Sequence, residues 1–169
     1  MERQLEVKAP VFDRSLAEER AAALGAEFRE TVWHVDTYFP VPRGRLKVRE
    51  FVRGGELIYY EREDTPGARE SRYQVLSVAE AGALRRMLAA ALGVAATVTK
   101  ERRLWVLDGA RIHVDTVQGL GSFVEFEVPA ADEAAARATV ERLMAAFDLT
   151  PADCIAGSYA DLLAGGAAS

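Results

Sequence analysis

The sequence predicts an α+β fold built on a mainly antiparallel sheet. Eight segments alternate apolar and polar residues, and most of them follow one another through turns of only a few residues, as antiparallel strands do. Alanine-rich segments with helix-start signals stand apart from these strands, since residues 27–67 contain no alanine. Strands that run in succession, with helices set between groups of them, are typical of α+β proteins.

The first half of the chain contains one predicted helix and five predicted strands. Residues 4–9 alternate apolar and polar side chains, which predicts a strand. A helix follows, which a capping box of Ser15 and Glu18 opens and Gly25 ends. The next alternating segments, separated by turns that contain proline or glycine, predict strands over residues 31–39, 45–51, 56–63 and 71–76.

The second half contains three predicted helices and three predicted strands. A second capping box, formed by Ser77 and Glu80, opens a helix that Gly93 ends. Three strands joined by an Asp-Gly turn and a glycine-rich turn cover residues 94–107, 111–117 and 122–128. Two helices are predicted over residues 132–147 and 150–163. We expect residues 1–169 to form one domain, with a disordered tail at residues 165–169.

The polar faces of these strands carry charges of both signs. One strand presents Arg45, Lys47 and Arg49 on a single face, and the last strand presents Glu125 and Glu127. If the helices cover the apolar faces from outside, the charged faces must turn inward. An eight-stranded antiparallel barrel satisfies both demands, and its lumen admits side chains or one small ligand. The alternative is an ordinary sheet whose charged faces are solvated.

The charges inside such a barrel match the chemistry of phosphate binding. Hard oxygen ligands, which hold Mg²⁺ or Mn²⁺, would come from Glu6, Asp115, Glu125 and Glu127. A polyanion would meet Lys8, Arg45, Lys47, Arg49, Lys100 and Arg102. Carboxylates, a hard metal and many cations together suit a phosphate chain. The chain has no GxxxxGK[ST] segment, so a P-loop enzyme is excluded.

The composition excludes several classes of protein. The formal net charge of -5 argues against a nucleic-acid or anionic-membrane partner. The single cysteine, Cys154, excludes an internal disulfide and a cysteine-based zinc finger. No apolar run approaches the roughly 18 residues that span a bilayer, and the first residues lack the apolar centre of a secretory signal. We therefore expect a cytoplasmic protein.

The sequence resembles the CYTH superfamily, also called triphosphate tunnel metalloenzymes, over nearly the whole chain. The family's N-terminal Glu-x-Glu-x-Lys is similar to QLEVK at residues 4–8. Further similar segments are DTYF at 36–39, GRLKVRE at 44–50, LIYYER at 57–62, KER at 100–102, RIHVD at 111–115, LGSFVEFE at 120–127 and SYADLL at 158–163. The overall pattern looks closest to the bacterial class IV adenylate cyclase-like and thiamine triphosphatase-like members.

The resemblance implies an eight-stranded tunnel that binds a triphosphate inside it. It implies Mg²⁺ or Mn²⁺ as cofactor, with Glu6, Asp115, Glu125 and Glu127 as metal residues. The substrate-binding residues would be Lys8, Lys47, Arg49, Arg62, Lys100, Arg102 and His113, with Arg45 and Arg69 added by strand parity. The catalytic residues would be Glu6, Lys8, Arg62 and Lys100. We expect the four carboxylates to converge and, without metal, to raise some of one another's pKa values by repulsion.

Gln4 departs from the family pattern, because it replaces the first acidic residue of the N-terminal motif. An amide offers a metal only a neutral carbonyl and cannot act as a base. One hypothesis is an enzyme acting on ATP, thiamine triphosphate or tripolyphosphate. Attack by water gives a phosphohydrolase, and attack by the ribose hydroxyl of ATP gives an adenylate cyclase, whose adenine pocket the sequence does not locate. The alternative is a non-catalytic nucleotide- or polyphosphate-binding module, and the helices could also form a homodimer surface.

Overall fold

Eight antiparallel strands close into a ring, which confirms the predicted barrel. The computed structural model describes residues 1–167. The strands are β1 (Glu2–Pro10), β2 (Glu27–Phe39), β3 (Arg45–Glu50), β4 (Gly55–Arg62), β5 (Arg69–Val78), β6 (Ala96–Leu107), β7 (Ala110–Val117) and β8 (Gly121–Pro129). Their order around the ring is β1-β5-β4-β3-β2-β6-β7-β8, and β8 pairs back to β1. All neighbouring strands are antiparallel.

Helices cover the outer surface of this ring. They are α1 (Arg14–Ala23), α2 (Ala81–Leu92), α3 (Glu133–Ala146) and α4 (Tyr159–Ala167), with a 3₁₀ turn at Pro151–Asp153. Within residues 1–167, no helix combines the length and the apolar character that crossing a lipid bilayer requires.

The apolar faces of the strands form the core beneath the helices. On β1, Leu5 and Val7 pack into a buried layer with α1, α3 and Phe126 of β8. The rings of Phe126 and Phe147 meet edge to face, with 5.0 Å between their centroids. A second layer lies under α2 and includes Val48 of β3. Burial of each large side chain stabilises the fold by about 1.5–3 kcal/mol, so the helices fix which face of each strand points outward.

Strand β2 is longer than the sequence predicts. The prediction covers residues 31–39, whereas β2 begins at Glu27 and pairs with β6 along its whole length. The pairing register shifts between Phe28 and Glu30, which marks a bulge. Because the bulge interrupts the alternation of apolar and polar residues, the sequence does not predict the first part of β2.

The helix starts differ from the two predicted capping boxes. Helix α1 is capped by Asp13, whose side chain accepts a hydrogen bond from the backbone N–H of Leu16 at 3.1 Å. Ser77 does not cap α2, because it lies in β5 opposite Glu56 of β4. Because Ser77 is still part of the sheet, the helix begins only after Glu80.

The predicted helix over residues 150–163 is two elements. Thr150 and Asp153 form a capping box around the 3₁₀ turn, and the chain then extends before α4 starts at Tyr159. In this extended stretch the Ile155 N–H donates to the carbonyl oxygen of Lys8 at 2.9 Å, which ties the segment to β1. Of the tail expected to be disordered, residues 165–167 belong to α4, and residues 168–169 lie outside the described part of the chain.

Candidate functional site

The barrel encloses a cavity of about 550 Å³. All eight strands line it, because every second side chain of a strand points to the same face. The charged, amide and imidazole side chains on its wall are Gln4, Glu6, Lys8, Glu30, His34, Lys47, Arg49, Glu56, Arg62, Lys100, Arg102, Arg111, His113, Glu125 and Glu127. This volume lies within the usual range of small-molecule sites.

The structure brings most of the predicted site residues together at this cavity. The predicted residues that line it are Glu6, Lys8, Lys47, Arg49, Arg62, Lys100, Arg102, His113, Glu125 and Glu127. The predicted residues that lie elsewhere are Arg45, Arg69 and Asp115, whose surroundings are described below.

Asp36 on β2 is a buried carboxylate that holds three cations of the cavity wall. Arg49 donates to both of its oxygens at 2.8 Å, and the Lys47 ammonium donates at 2.9 Å. The Lys100 ammonium lies 3.8 Å from Asp36 Oδ2. Burial alone would raise the pKa of Asp36, but Arg49 and Lys47 hold it well below its usual range. An ionised Asp36 therefore anchors one side of the cationic wall.

Asp115 lies behind the wall and is saturated by its neighbours. Arg102 donates to its two oxygens at 2.8 and 2.7 Å, and the Tyr159 hydroxyl donates to Oδ2 at 2.9 Å. The side chain is fully buried. Arg102 Nη2 also donates to Glu125 Oε2 at 3.3 Å, so one guanidinium joins Asp115 to Glu125. Arg102 and Tyr159 occupy both oxygens of Asp115 in this structure, and its role as a metal residue stays a prediction.

Glu6 lines the cavity and is bound by two arginines. Arg62 Nη1 donates to Glu6 Oε1 at 2.5 Å, and Arg69 Nε donates to the same oxygen at 3.3 Å. The Gln4 amide nitrogen lies 3.5 Å from Glu6 Oε2, and its carbonyl oxygen accepts from Arg111 at 3.0 Å. Gln4 thus links Glu6 to an arginine of β7.

Two carboxylates and a histidine do converge. One ligand atom each from His113, Glu125 and Glu127 lie within 4.8 Å of one another. Lys8 lies 3.3 Å from Glu125 Oε2, and Arg111 lies 2.7 Å from Glu127 Oε2. These oxygen-rich groups fit a divalent cation chemically, since carboxylates are the ligands that Mg²⁺ and Mn²⁺ prefer.

The predicted rise in carboxylate pKa does not occur at Asp115 and Glu125. Burial raises the pKa of Glu125, but Lys8 and Arg102 outweigh it and hold the pKa well below its usual range. Burial likewise opposes ionisation of Asp115, and Arg102 again lowers its pKa. Lys8 and Arg102 each lie 3.3 Å from a Glu125 oxygen, and Arg102 lies 2.8 and 2.7 Å from the Asp115 oxygens, so attraction by these cations lowers both pKa values.

Two lysines of the cavity, Lys8 and Lys100, are strongly desolvated. Burial lowers the pKa of Lys8, although Glu125 opposes the shift, and burial with Arg102 holds the pKa of Lys100 well below its usual range. Arg62 is nearly buried, and its Nε has no hydrogen-bond partner among residues 1–167. These groups would be stabilised by an added anion, because an unpaired buried donor costs about 1–3 kcal/mol.

Arg45 and Arg69, the two residues added by strand parity, are not among the residues that line the cavity, although Arg69 bonds to Glu6 on its wall. Arg45 pairs with Asp64 at 2.6 Å and with Asp161 at 3.0 Å. The Arg69 guanidinium donates to the carbonyl oxygens of Ile155 and Ala156. Parity places both side chains on the inner face of their strands, but both strands start at the end of the barrel where α4 packs, and residues there capture them.

Replacing Arg69 by methionine should loosen the segment that carries α4. We expect the free energy of unfolding to fall by about 2–4 kcal/mol, because several charge-assisted hydrogen bonds to buried carbonyls are lost. Hydrogen exchange should accelerate over residues 154–163, which thermal unfolding and exchange measurements can resolve together. The matched control is Arg72→Met on the same strand, whose exposed ion pair with Glu61 should contribute little. Equal behaviour of the two variants would contradict the anchoring role.

The two ends of the cavity differ. One end is closed by α4, where the Tyr159 ring packs 3.9 Å from the Lys8 ammonium and 5.0 Å from that of Lys100. Elsewhere the lining includes apolar side chains, namely Val32, Phe51, Val75 and Leu104, and Val75 is 47% exposed. The cavity is therefore cationic at its closed end and partly apolar where it opens.

Asp36 and Tyr159 are functional residues that the sequence alone does not predict, although both lie in segments similar to the family's. A signal existed for Asp36, since it shares inward parity with His34 and Tyr38 on β2. Its partners come from β3 and β6, so its function appears only when the ring closes. Tyr159 belongs to a helix, where strand parity gives no information.

Comparisons with known proteins agree with this architecture. The family model described as CYTH domain matches residues 2–152. A Pyrococcus horikoshii structure, that of the PH1012 protein, is 22% identical with a TM-score of 0.85, and the match covers 94% of this chain and 98% of that one. A Vibrio parahaemolyticus protein described as a candidate adenylate cyclase is 22% identical with a TM-score of 0.78, covering 96% and 98%.

A more distant structure has the same fold. A candidate adenylyl cyclase from Hippeastrum, described as having a dominant triphosphatase activity, is 12% identical with a TM-score of 0.67, covering 98% of this chain and 96% of that one. Because these three structures are only 12–22% identical to the chain, their similarity shows a shared fold and does not extend to activity. No curated protein sequence matches the chain at a significant level.

Proposed function

Because the chain belongs to the CYTH domain family, we propose that it is a metal-dependent enzyme that binds the triphosphate chain of a small molecule inside the barrel and cleaves it. The observation that carries the proposal is the buried cationic wall, in which lysines and arginines from several strands converge beside two carboxylates. We assign direct contact with the phosphate chain to Lys8, Lys47, Arg49, Arg62, Lys100 and Arg102.

The electrostatics of the closed end favour a polyanion. Lys8 and Lys100 are desolvated there, and Arg62 has a nitrogen without a partner in the described chain. A phosphate chain would supply the missing acceptors, and each charge-assisted contact contributes about 1.5–3 kcal/mol. Glu6 orients Arg62 through the 2.5 Å hydrogen bond, so we place it with Lys8, Arg62 and Lys100 among the groups around the reacting phosphate.

Glu125 and Glu127 are the residues we assign to a Mg²⁺ or Mn²⁺ ion. When bound, the ion would neutralise charge on phosphate oxygens. The protein's own contribution is to hold Glu125 ionised through Lys8 and Arg102, and to position Glu127 through its ion pair with Arg111.

The partly apolar opening favours a substrate with an organic group. Val32, Phe51 and Leu104 lie on the wall next to Arg49 and Arg102, on the side away from α4, and an aromatic base or ring could pack on them. We therefore propose ATP or another organic triphosphate as substrate ahead of tripolyphosphate.

Product analysis tests the proposal. The full chain is incubated with ATP, thiamine triphosphate or tripolyphosphate and Mg²⁺ or Mn²⁺, and orthophosphate, pyrophosphate and cyclic AMP are measured. Phosphate release with any substrate identifies a phosphohydrolase, and cyclic AMP with pyrophosphate identifies a cyclase. Glu125→Gln should reduce turnover about a hundredfold or more, since the carboxylate acts through the ion. The exposed Glu133→Gln serves as control, and equal rates in the two variants would contradict the assignment.

The second candidate function is a non-catalytic binding module, which Gln4 favours. The Gln4 carbonyl is occupied by Arg111, so this position provides neither a carboxylate nor a base. Saturable triphosphate binding without any product would identify this function and exclude the enzyme.

A further inference from the structure

The interior histidine of β7 lies beside the two carboxylates of β8. We propose that His113, Glu125 and Glu127 form a mixed nitrogen-and-oxygen site that binds Mn²⁺ in preference to Mg²⁺, with His113 Nδ1 as the nitrogen ligand. The inference rests on the proposed function for what the metal does, and it adds which residues hold the metal and which metal they prefer.

The strand register creates this group. His113 is the direct cross-strand partner of Glu125, and Glu127 is two residues further along β8 on the same inward face. The ligand atoms of the three residues lie within 4.8 Å of one another, and His113 Nδ1 is 4.0 Å from Glu127 Oε1. One ion could therefore contact all three side chains after small adjustments of rotamer.

The unpaired imidazole nitrogen of His113 is an independent indication of a metal site. His113 is 4% exposed, and its Nδ1 has no hydrogen-bond partner within the described residues. Leaving a buried polar nitrogen unpaired costs about 1–3 kcal/mol, and a bound cation would remove this cost.

The cations around the carboxylates leave room for an ion on the histidine side. Lys8 and Arg102 approach Glu125 through Oε2, and Arg111 approaches Glu127 through Oε2 as well. The Oε1 atom of Glu127 faces His113 instead. The Oε2 atom of each carboxylate is therefore paired with cations, and Glu127 Oε1 is left to face an ion beside His113.

The ligand set decides the preference between metals. Mg²⁺ prefers oxygen ligands only, whereas imidazole nitrogen suits first-row transition metals, and Mn²⁺ accepts carboxylates as well. Gln4, whose carbonyl is bonded to Arg111, supplies no carboxylate to this group. His113 is thus the third ligand that the folded chain provides.

A titration of the full chain with Mn²⁺ alone, without triphosphate, tests the inference. Free Mn²⁺ is measured by its electron paramagnetic resonance signal, and Mg²⁺ affinity is measured by competition. In the parent, pulsed spectra of bound Mn²⁺ should show modulation by a histidine ¹⁴N nucleus. In His113→Asn this modulation should disappear and the Mn²⁺ affinity should fall about tenfold to a hundredfold, while the Mg²⁺ affinity changes little.

His34→Asn is the matched control. His34 is also an interior histidine, 5% exposed, with an Nδ1 that lacks a partner in residues 1–167, but its partner across the strands is Lys100. This variant should keep the nitrogen modulation and the Mn²⁺ affinity of the parent. A melting curve of each variant confirms that it is folded, and His113→Ala repeats the test with a second side chain.

Persistence of the nitrogen modulation in both His113 variants would overturn the inference, as would equal affinities of the parent for Mn²⁺ and Mg²⁺. These results are separate from turnover. A parent that binds Mn²⁺ through nitrogen but releases no product supports this site and contradicts the proposed enzyme. Turnover without nitrogen modulation contradicts this site alone.

Discussion

Replacing Asp36 by asparagine should lower the free energy of unfolding by about 3–5 kcal/mol, because it leaves a buried cluster of cations without its carboxylate. Lys47 and Arg49 bond directly to Asp36, and Lys100 lies 3.8 Å from it. Asparagine has nearly the same volume, so the loss reports charge rather than packing. Thermal or denaturant unfolding measures it.

A polyanion should restore much of this lost stability. Without Asp36 the three cations repel one another, so tripolyphosphate should raise the melting temperature of Asp36→Asn by more than it raises that of the parent. The control is Glu133→Gln, which removes an exposed carboxylate paired with Arg137 and should melt like the parent. An Asp36→Asn variant that melts like the parent would show that Asp36 does not hold the cationic wall.

The acid response of the same variant follows from the sign of the pKa shift. The pKa of Asp36 is lower in the folded chain than in the unfolded chain, so its ionisation stabilises the fold above pH of about 4. This stabilisation is lost as the pH falls through the folded pKa. The parent should therefore lose more stability than Asp36→Asn on acidification below pH of about 4, as unfolding curves at several pH values can show.

Replacing Lys47 by methionine should weaken tripolyphosphate binding about tenfold to a hundredfold, because one charge-assisted contact of about 1.5–3 kcal/mol is lost. The stability of the unliganded protein should change little, since Asp36 keeps Arg49 and Lys100 as partners. Isothermal titration and a thermal melt of the same preparation measure both quantities.

The matched control for Lys47 lies two residues away on β3. Arg45 is also cationic, but it pairs with Asp64 and Asp161 outside the cavity, so Arg45→Met should bind tripolyphosphate like the parent. A sharp drop in the melting temperature of Lys47→Met with unchanged binding would make Lys47 a structural partner of Asp36. Equal losses of affinity in both variants would show that the cavity is not the binding site.

The sequence alone predicts much of the barrel, because alternation in a strand depends only on local residue order. Lys47 and Arg49 point inward as their parity requires, and Val48 between them is buried under α2. Parity also turns Arg45 and Arg69 inward, but neither lines the cavity, because residues at the end of a strand contact whatever packs on that end. Here the neighbours are the acidic side chains and carbonyls near α4.

The site was harder to predict than the fold because each charge acts through partners on other strands. Asp115 has inward parity on β7, yet Arg102 of β6 occupies both of its oxygens. Glu125 and Glu127 lie beside His113, although no regular spacing along the chain indicates that these three residues are neighbours. These relations depend on the register between β6, β7 and β8, and the register is fixed only when the ring closes.

A crystal structure with tripolyphosphate in the absence of divalent metal shows where the phosphate chain binds before any cleavage. We expect three phosphates inside the barrel, in contact with Lys47, Arg62 and Lys100 and lying next to Glu125. A phosphate chain bound on the outer surface, with the side chains of the cavity in their present ion pairs, would contradict this expectation.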